Sequence, residues 1–275
     1  MSGTPVSRLD GRLADLRRAG RKALVTFITA GDPTPAVTVA ALHALVRGGA
    51  DVLELGVPFS DPEAEGPAVQ ASSERGLAQG MTLRGCLDLV SEFRREDSTT
   101  PVVLMGYLNS VLAMGAEPFA RAAQAAGVDG LIMVNLPPEE ADDLLVALNR
   151  RRLSLIFLVA PTTTESRARM ILGRASGFVY YVSLKGTTGA NHLDTGAVGE
   201  KLRWLRGLTD LPVMVGFGIK DGASARAVSR HADGAVVGSA LVNTMAEFAA
   251  EPERIPDRLE AQAAEIRRAL DETAA

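Results

Sequence analysis

Several residue types are scarce in this chain, and each scarcity excludes a class of protein. Its 275 residues include one cysteine, Cys86, so neither an internal disulfide nor a zinc site built from several thiolates is expected. Aromatic residues make up 4% of the chain and its net charge is -4, which argues against a surface that binds nucleic acid. No apolar run is long enough to span a membrane, and the first residues lack the apolar core of a signal peptide. We therefore expect a globular protein of the cytoplasm.

The apolar residues, 47% of the chain, are grouped in short β-branched or aliphatic runs that alternate with longer segments of helical period. The runs are continuously apolar, which is typical of parallel strands covered on both faces. Eight such strand–helix units in a chain slightly longer than about 250 residues predict a single (β/α)8 TIM barrel spanning residues 1–275. The predicted strands occupy 23–31, 50–57, 101–107, 128–134, 153–159, 177–183, 211–218 and 232–239.

A doubly wound open sheet is the competing architecture. That fold usually carries a glycine-rich G-x-G-x-x-G turn after its first strand, whereas the turn here reads TAGDPTP, so the barrel is favoured. The surplus length at the two ends predicts additional helices, each with an apolar stripe. The stripes consist of Leu9, Leu13 and Leu16 near the N-terminus, and of Ile255, Leu259, Ile266 and Leu270 near the C-terminus.

In a (β/α)8 barrel the active site lies at the C-terminal ends of the strands, and Glu54 stands inside the second predicted strand. A carboxylate among apolar residues is costly unless it is paired or its pKa rises. Glu54 is therefore either a structural partner of a nearby arginine or a general acid/base in the barrel mouth. The loop that follows carries Asp61, Glu63 and Glu65, but acidic loops are usually just solvated, so these residues alone are weak evidence.

Glycines follow the last three predicted strands, in the segments SLKGTTG, GFGIKDG and VVGSALV. Glycine lets a ligand approach the backbone, and Ser239 opens a helix whose first amides would be free donors. A phosphate held by the loops after strands seven and eight recurs in this fold. We therefore expect a phosphate site here, although Gly218 and Gly238 are also consistent with ordinary turns.

Eight motifs follow one another over residues 22–245: LVTFITAGDP, DVLELGVPFSDP, GPAVQ, VVLMGY, AGVDGLIMVNLPPEE, GTTG, PVMVGFGI and DGAVVGSALV. In this order they resemble the tryptophan synthase alpha subunit family. That family is a TIM barrel that cleaves indole-3-glycerol phosphate to indole and glyceraldehyde 3-phosphate. It uses neither a metal nor an organic cofactor, and it usually works in complex with a beta subunit that condenses indole with serine.

The resemblance implies roles for individual residues. Glu54 matches the strand-two glutamate that does the acid/base work, and Glu65 stands where a second carboxylate hydrogen-bonds the indole nitrogen. Thr188 belongs to a loop that closes near Glu65. The indole walls are expected from Phe27, Leu104, Tyr107, Tyr180 and Phe217, and the phosphate contacts from Gly189, Gly218, Gly238 and Ser239.

The sequence departs from the family pattern at several positions. Glu65 replaces an aspartate, and its extra methylene matters because a misplacement of roughly 1 Å can lower a rate ~10²-fold. Glu63 replaces an apolar residue, Ser110 replaces a proline and Asn135 replaces an aspartate. The loop after strand six reads GTTGANHLDTG, where GVTG followed by an arginine is more common.

These departures leave two alternatives to the ordinary subunit. The chain could be a diverged paralogue that releases indole on its own, or a catalytically weakened barrel that binds and activates a partner enzyme. A remoter alternative is an aldolase that forms a Schiff base through Lys185, which follows the sixth predicted strand.

Overall fold

Eight parallel strands pair in chain order, and the eighth pairs back to the first, so the sheet closes into a barrel. The computed structural model describes residues 7–182, 195–216 and 218–272, including all side chains in these ranges except those of 195–197. The predicted (β/α)8 barrel is confirmed, and the doubly wound sheet is not formed. The strands are β1 (Ala23–Thr29), β2 (Val52–Gly56), β3 (Val102–Gly106), β4 (Gly130–Met133), β5 (Ser154–Val159), β6 (Val179–Val182), β7 (Val213–Gly216) and β8 (Gly234–Val237).

Twelve α-helices surround the barrel in the described part of the chain. They are α1 (Arg8–Arg18), α2 (Pro35–Arg47), α3 (Pro67–Ala78), α4 (Leu83–Phe93), α5 (Leu108–Met114), α6 (Ala116–Ala126), α7 (Asp142–Asn149), α8 (Glu165–Leu172), α9 (Thr195–Arg206), α10 (Gly222–Ser229), α11 (Ser239–Glu247) and α12 (Ile255–Asp271). Two 3-10 turns, Pro138–Glu140 and Pro252–Arg254, precede α7 and α12. None of the described helices is long and apolar enough to cross a membrane.

Alternate residues of each strand belong to two separate apolar cores. One set, which includes Val52, Val103 and Ile132, fills the barrel interior. The other, which includes Leu53, Leu55 and Leu104, packs beneath the surrounding helices. Both faces of the strands are therefore buried, which is why the strands read as continuous apolar runs.

The two predicted terminal helices are α1 and α12. Leu9, Leu13 and Leu16 of α1 are buried in the interior core, so this helix covers the N-terminal end of the barrel. Two arginines of α1 also form ion pairs with aspartates of the barrel. Arg8 contacts Asp129 at 2.8 Å and Arg12 contacts Asp51 at 2.5 Å.

The same type of hydrogen bond joins β1 to β2, β3 to β4, β5 to β6 and β7 to β8 at the N-terminal end of the barrel. Just before each even-numbered strand, a side-chain oxygen accepts a hydrogen bond from a backbone N–H at the beginning of the preceding strand. The acceptor and donor residues are Asp51 and Leu24, Asp129 and Val102, Ser176 and Leu155, and Asp233 and Val213, at 2.8 to 2.9 Å. Each bond satisfies a donor that would otherwise be unpaired at the barrel floor.

Candidate active site

Glu54 lies inside the barrel, level with Phe27 on β1 and Val103 on β3. Its side chain is 1% exposed. Burial, with a smaller contribution from the nearby Glu65, raises its pKa from 4.5 to about 8. Its Oε2 has no hydrogen-bond partner among the described residues. The arginine that a purely structural role requires is therefore not among those residues, and the carboxyl group is protonated at neutral pH.

Glu65 lies at the end of the loop between β2 and α3, and its side chain reaches back toward Glu54. Burial raises its pKa from 4.5 to about 7. Its Oε1 is also buried without a hydrogen-bond partner in the described part of the chain. The mouth thus contains two carboxyl groups, each with an oxygen free to bind a ligand.

Two side chains hold the loop that carries Glu65. The hydroxyl of Tyr107 accepts a hydrogen bond from the backbone N–H of Ala64 at 3.0 Å, and its ring stacks on Phe59 with the centroids 4.7 Å apart. From the other side, Nε2 of Gln70 donates to the backbone oxygen of Glu65 at 2.9 Å. The Glu65 backbone is therefore fixed both from α3 and from the loop after β3.

Helix α3 is in turn attached to the end of β1. Arg75 makes a two-point ion pair with Asp32 at 2.6 and 2.9 Å, and Asp32 is fully buried. The hydroxyls of Thr29 and Ser72 lie 2.6 Å apart in a buried hydrogen bond. These contacts connect the loop bearing Glu65, which follows β2, to the neighbouring strand β1 that bears Phe27.

The rings of Phe27 and Tyr180 lie in the barrel interior, each against a glycine of the neighbouring strand. A Cβ on Gly56 would lie 2.7 Å from Cζ of Phe27, and one on Gly216 would lie 2.2 Å from the hydroxyl of Tyr180. Burial raises the pKa of Tyr180, and the charges of both glutamates raise it further, so this hydroxyl stays protonated beside them. Phe27 and Tyr180 therefore both lie in the barrel interior, close to the two glutamates.

The expectation that Leu104 forms an indole wall is wrong. Leu104 is level with Leu55 in the β2–β3 register, and both belong to the core beneath the helices. The next residue, Met105, contacts the interior cores around Phe27. Because side chains of a strand alternate between its faces, Met105 is the β3 residue on the ligand side.

The helices after β7 and β8 both begin near the predicted phosphate site, but only one of them is capped by a side chain. Asp221 caps α10 with its own carboxylate, which accepts a hydrogen bond from the Ser224 N–H at 2.8 Å. Helix α11 begins at Gly238 and Ser239, and no described side chain caps it. The Leu241 N–H donates to the Gly238 oxygen at 2.9 Å, which leaves the N–H groups of Ser239 and Ala240 to donate to an anion. Gly218, in the loop after β7, adopts a φ of 76°, which only glycine takes readily.

Some predicted site residues lie outside the described ranges. They are Thr188, Gly189 and Phe217, together with Lys185 and the rest of the loop after β6. Within residues 7–182, 195–216 and 218–272, no group of three or more His, Cys, Asp or Glu side chains is placed to hold a metal ion.

Comparison with known proteins shows to which family this chain belongs. The family model for the tryptophan synthase alpha chain matches residues 13–271. The alpha chain of Laribacter hongkongensis is 56% identical over 266 residues, covering 97% of this chain and 100% of that protein. The chain belongs to the tryptophan synthase alpha chain family.

Other members agree at the level of sequence and of structure. The alpha chain of Thioalkalivibrio sulfidiphilus is 55% identical, over 97% of this chain and 100% of that protein. The crystal structure of tryptophan synthase subunit alpha from Legionella pneumophila superposes with a TM-score of 0.91 at 41% identity. It covers 98% of this chain and 100% of that one. The resemblance inferred from the motifs is thereby confirmed.

The structure accommodates three departures from the tryptophan synthase alpha pattern. Glu63 is exposed, and Ser110 is half-buried in the first turn of α5. Asn135 is exposed, and its Oδ1 accepts a hydrogen bond from the Leu108 N–H at 2.8 Å. Its Nδ2 donates to Asn109 at 3.1 Å, a bond that an aspartate could not donate. The asparagine therefore joins the loops after β3 and β4.

We expect Gln70→Leu to lower kcat by roughly 10- to 100-fold, because the Glu65 backbone loses a donor that fixes its position. The rising limb of the pH–rate profile should also shift downward, since water would reach the Glu65 carboxyl group. Steady-state kinetics of indole release from pH 5 to 9 measures both effects. Gln79→Leu, at the exposed end of the same helix, is the matched control. Equal kcat and pH profiles in the two variants would contradict a positioning role.

Proposed function

We propose that this chain cleaves indole-3-glycerol phosphate to indole and glyceraldehyde 3-phosphate. The observation that carries the proposal is the pair Glu54 and Glu65, each with a buried carboxylate oxygen that has no partner among the described residues. The free amides at the beginning of α11 support phosphate binding at the same mouth. Phe27, Met105 and Tyr180 provide apolar and aromatic surface for a flat ring.

The retro-aldol reaction needs one proton delivered and one removed. Protonated Glu54 gives its proton to C3 of the indole ring, and the resulting carboxylate then takes the proton of the glycerol hydroxyl next to the ring. As the carbon–carbon bond breaks, its electron pair returns to the ring and the hydroxyl carbon becomes the aldehyde. Ionised Glu65 accepts a hydrogen bond from the ring N–H, which becomes electron-poor in the intermediate. Glu54 ends the cycle protonated, as it began.

This division of labour predicts a bell-shaped pH dependence of kcat/KM. The rate rises as Glu65 ionises, with a pKa of about 7, and falls as Glu54 loses its proton, with a pKa of about 8. The maximum is therefore expected between pH 7 and 8. Initial rates of indole release at subsaturating substrate measure it. A rate that reaches a plateau near pH 5 and does not fall above pH 8 would contradict the assignment, because it would show neither a raised pKa for Glu65 nor a need for the Glu54 proton.

We infer that a beta-type subunit is the partner, as the family resemblance implies. Leu112 on α5 is 64% exposed, and the exposed Asn135 accepts a hydrogen bond from the backbone N–H of Leu108, the first residue of the same helix. Adding a purified beta subunit to the purified chain tests the inference. A rise in indole release on addition supports a conventional subunit, full activity without the partner supports a free-standing lyase, and stimulation of the partner without cleavage supports a binding module.

We also propose that the chain acts in the cytoplasm. The chain has one cysteine and can form no internal disulfide, which supports a reducing compartment. Fractionation of the source cells, followed by immunodetection of the chain, tests this location.

A further inference from the structure

A second cavity lies at the opposite end of the barrel from the two glutamates. It occupies about 230 Å³ between α1 and the beginnings of β1, β7 and β8. We call it the floor pocket. Its apolar lining is formed by Leu13, Leu16, Ala23, Pro212 and Met214, and its charged lining by Arg17, Arg21, Lys22, Arg206 and Asp233. At ~30 Å³ per water molecule in the liquid, this volume suits a small organic molecule.

The floor pocket has an excess of positive charge, since four cationic side chains face one carboxylate. Asp233 is already engaged by Arg206 at 3.0 Å. Arg17 reaches only the backbone oxygen of Asp210, at 3.4 Å. Arg21 approaches Asp271, outside the lining, at 3.3 and 3.4 Å, longer than most charge-assisted hydrogen bonds. Two of the guanidinium groups are thus weakly engaged.

Lys22 adds a cation that is partly withdrawn from water. Its Nζ donates to the backbone oxygen of Ala232 at 2.8 Å. Burial lowers the pKa of Lys22 and the charge of Arg206 lowers it further, against the opposing effect of Asp233. A bound anion would favour the charged form of this lysine.

We propose that the floor pocket binds a small organic anion that carries an apolar group. The apolar part lies against the half-buried Pro212 and the small exposed edges of Leu13 and Leu16, and the carboxylate or phosphate group pairs with Arg17, Arg21 and Lys22. Such a ligand connects α1 to the strands β7 and β8. Because the pocket requires the folded barrel, binding stabilises the native state.

Benzoate is a suitable probe of the intact chain, with uncharged benzyl alcohol as the control ligand at the same ionic strength. We expect benzoate to raise Tm in a concentration-dependent manner and benzyl alcohol not to do so. Arg17→Gln should weaken benzoate binding about threefold to fivefold, the effect of losing one exposed ion pair. Arg18→Gln is the matched control, because Arg18 is the next residue of α1, lies outside the pocket lining and pairs with Asp15.

A second measurement separates the floor pocket from the substrate-binding mouth. Benzoate at the floor should leave the KM for the phosphorylated substrate unchanged, whereas benzoate in the mouth should compete with that substrate. The proposal is overturned if Arg17→Gln binds benzoate as tightly as Arg18→Gln does. It is also overturned if benzyl alcohol binds equally well, or if inhibition is purely competitive. None of these outcomes depends on the role of Glu54 or Glu65.

Discussion

Glu54→Gln is expected to lower kcat for indole release by roughly 10²- to 10⁴-fold, the contribution of a positioned general acid/base. The amide has nearly the same shape, yet it can neither give a proton to C3 nor take one from the glycerol hydroxyl. Binding of the phosphate moiety should survive, because the α11 amides and Gly218 remain in place. Turnover by the purified variant and its affinity for glycerol 3-phosphate measure the two properties separately. Retained turnover would refute the assignment of Glu54.

The same variant should fold more stably than the parent near neutral pH. The folded-state pKa of Glu54 is about 8, above its ordinary value of 4.5, so folding favours the protonated form. Below pH 4.5 the carboxyl group is protonated in both states and imposes no pH-dependent penalty. Between 4.5 and 8 the unfolded state ionises first, so the parent loses stability as the pH rises. The gain from Glu54→Gln should therefore grow over this interval to a few kcal/mol, at about 1.4 kcal/mol per pKa unit. Urea unfolding at pH 5 and pH 8 tests this difference and separates lost chemistry from lost folding.

Asp51→Asn is expected to lower the free energy of unfolding by about 3–5 kcal/mol. Asp51 is 1% exposed and accepts hydrogen bonds from Arg12, Arg267 and the backbone N–H of Leu24. The amide keeps the shape but removes the buried one of the two carboxylates that pair with Arg267, which is 7% exposed; the other, Asp271, is 44% exposed. Because these contacts join α1 and α12 to the barrel floor, the loss affects the whole fold. Urea unfolding at pH 7 measures it.

Asp15→Asn provides the control for that substitution. Asp15 pairs with Arg18 on the surface of α1, and both side chains are more than half exposed. Exposed pairs contribute about 0–1 kcal/mol, so this variant should unfold almost like the parent. An Asp51→Asn variant as stable as Asp15→Asn would show that the buried ion pairs contribute little to stability.

Features that depend on local pattern were predictable from the sequence. The eight strands were found because both faces of a parallel barrel strand are buried, which leaves a continuous apolar run. Glu54 stood out because a carboxylate interrupts such a run. The predicted strands extend beyond the observed ones, for example 50–57 against Val52–Gly56, because apolar residues continue into the loops at both ends.

Features that depend on register were not predictable in the same way. Leu104 and Met105 are both apolar, and only pairing with β2 shows that Met105 faces the interior. Strict alternation counted from Glu54 and its level partner Val103 would have selected Met105, but that partner is not known before the sheet is built. The prediction that Leu104 forms an indole wall is wrong for this reason.

Contacts between loops that are distant in the chain are also not predictable from the sequence. Gln70 and Tyr107 are ordinary residues in the chain, and their attachment to the Glu65 loop depends on how α3 and β3 meet in space. The pair of Asp32 and Arg75 spans two separate loops for the same reason. One repeated signal is present in the sequence, since Asp51, Asp129 and Asp233 each stand immediately before an even-numbered strand.

Titration of the two mouth carboxyl groups tests the central claim most directly. Selective ¹³C labelling of glutamate side chains, with Glu54→Gln and Glu65→Gln used to assign the signals, follows each group from pH 3 to 10. We expect Glu65 to titrate with a pKa of about 7 and Glu54 with a pKa of about 8. Removing Glu65 should lower the pKa of Glu54, because a neighbouring like charge disappears. Both groups titrating near 4.5, without mutual influence, would contradict a two-carboxyl site buried in the barrel mouth.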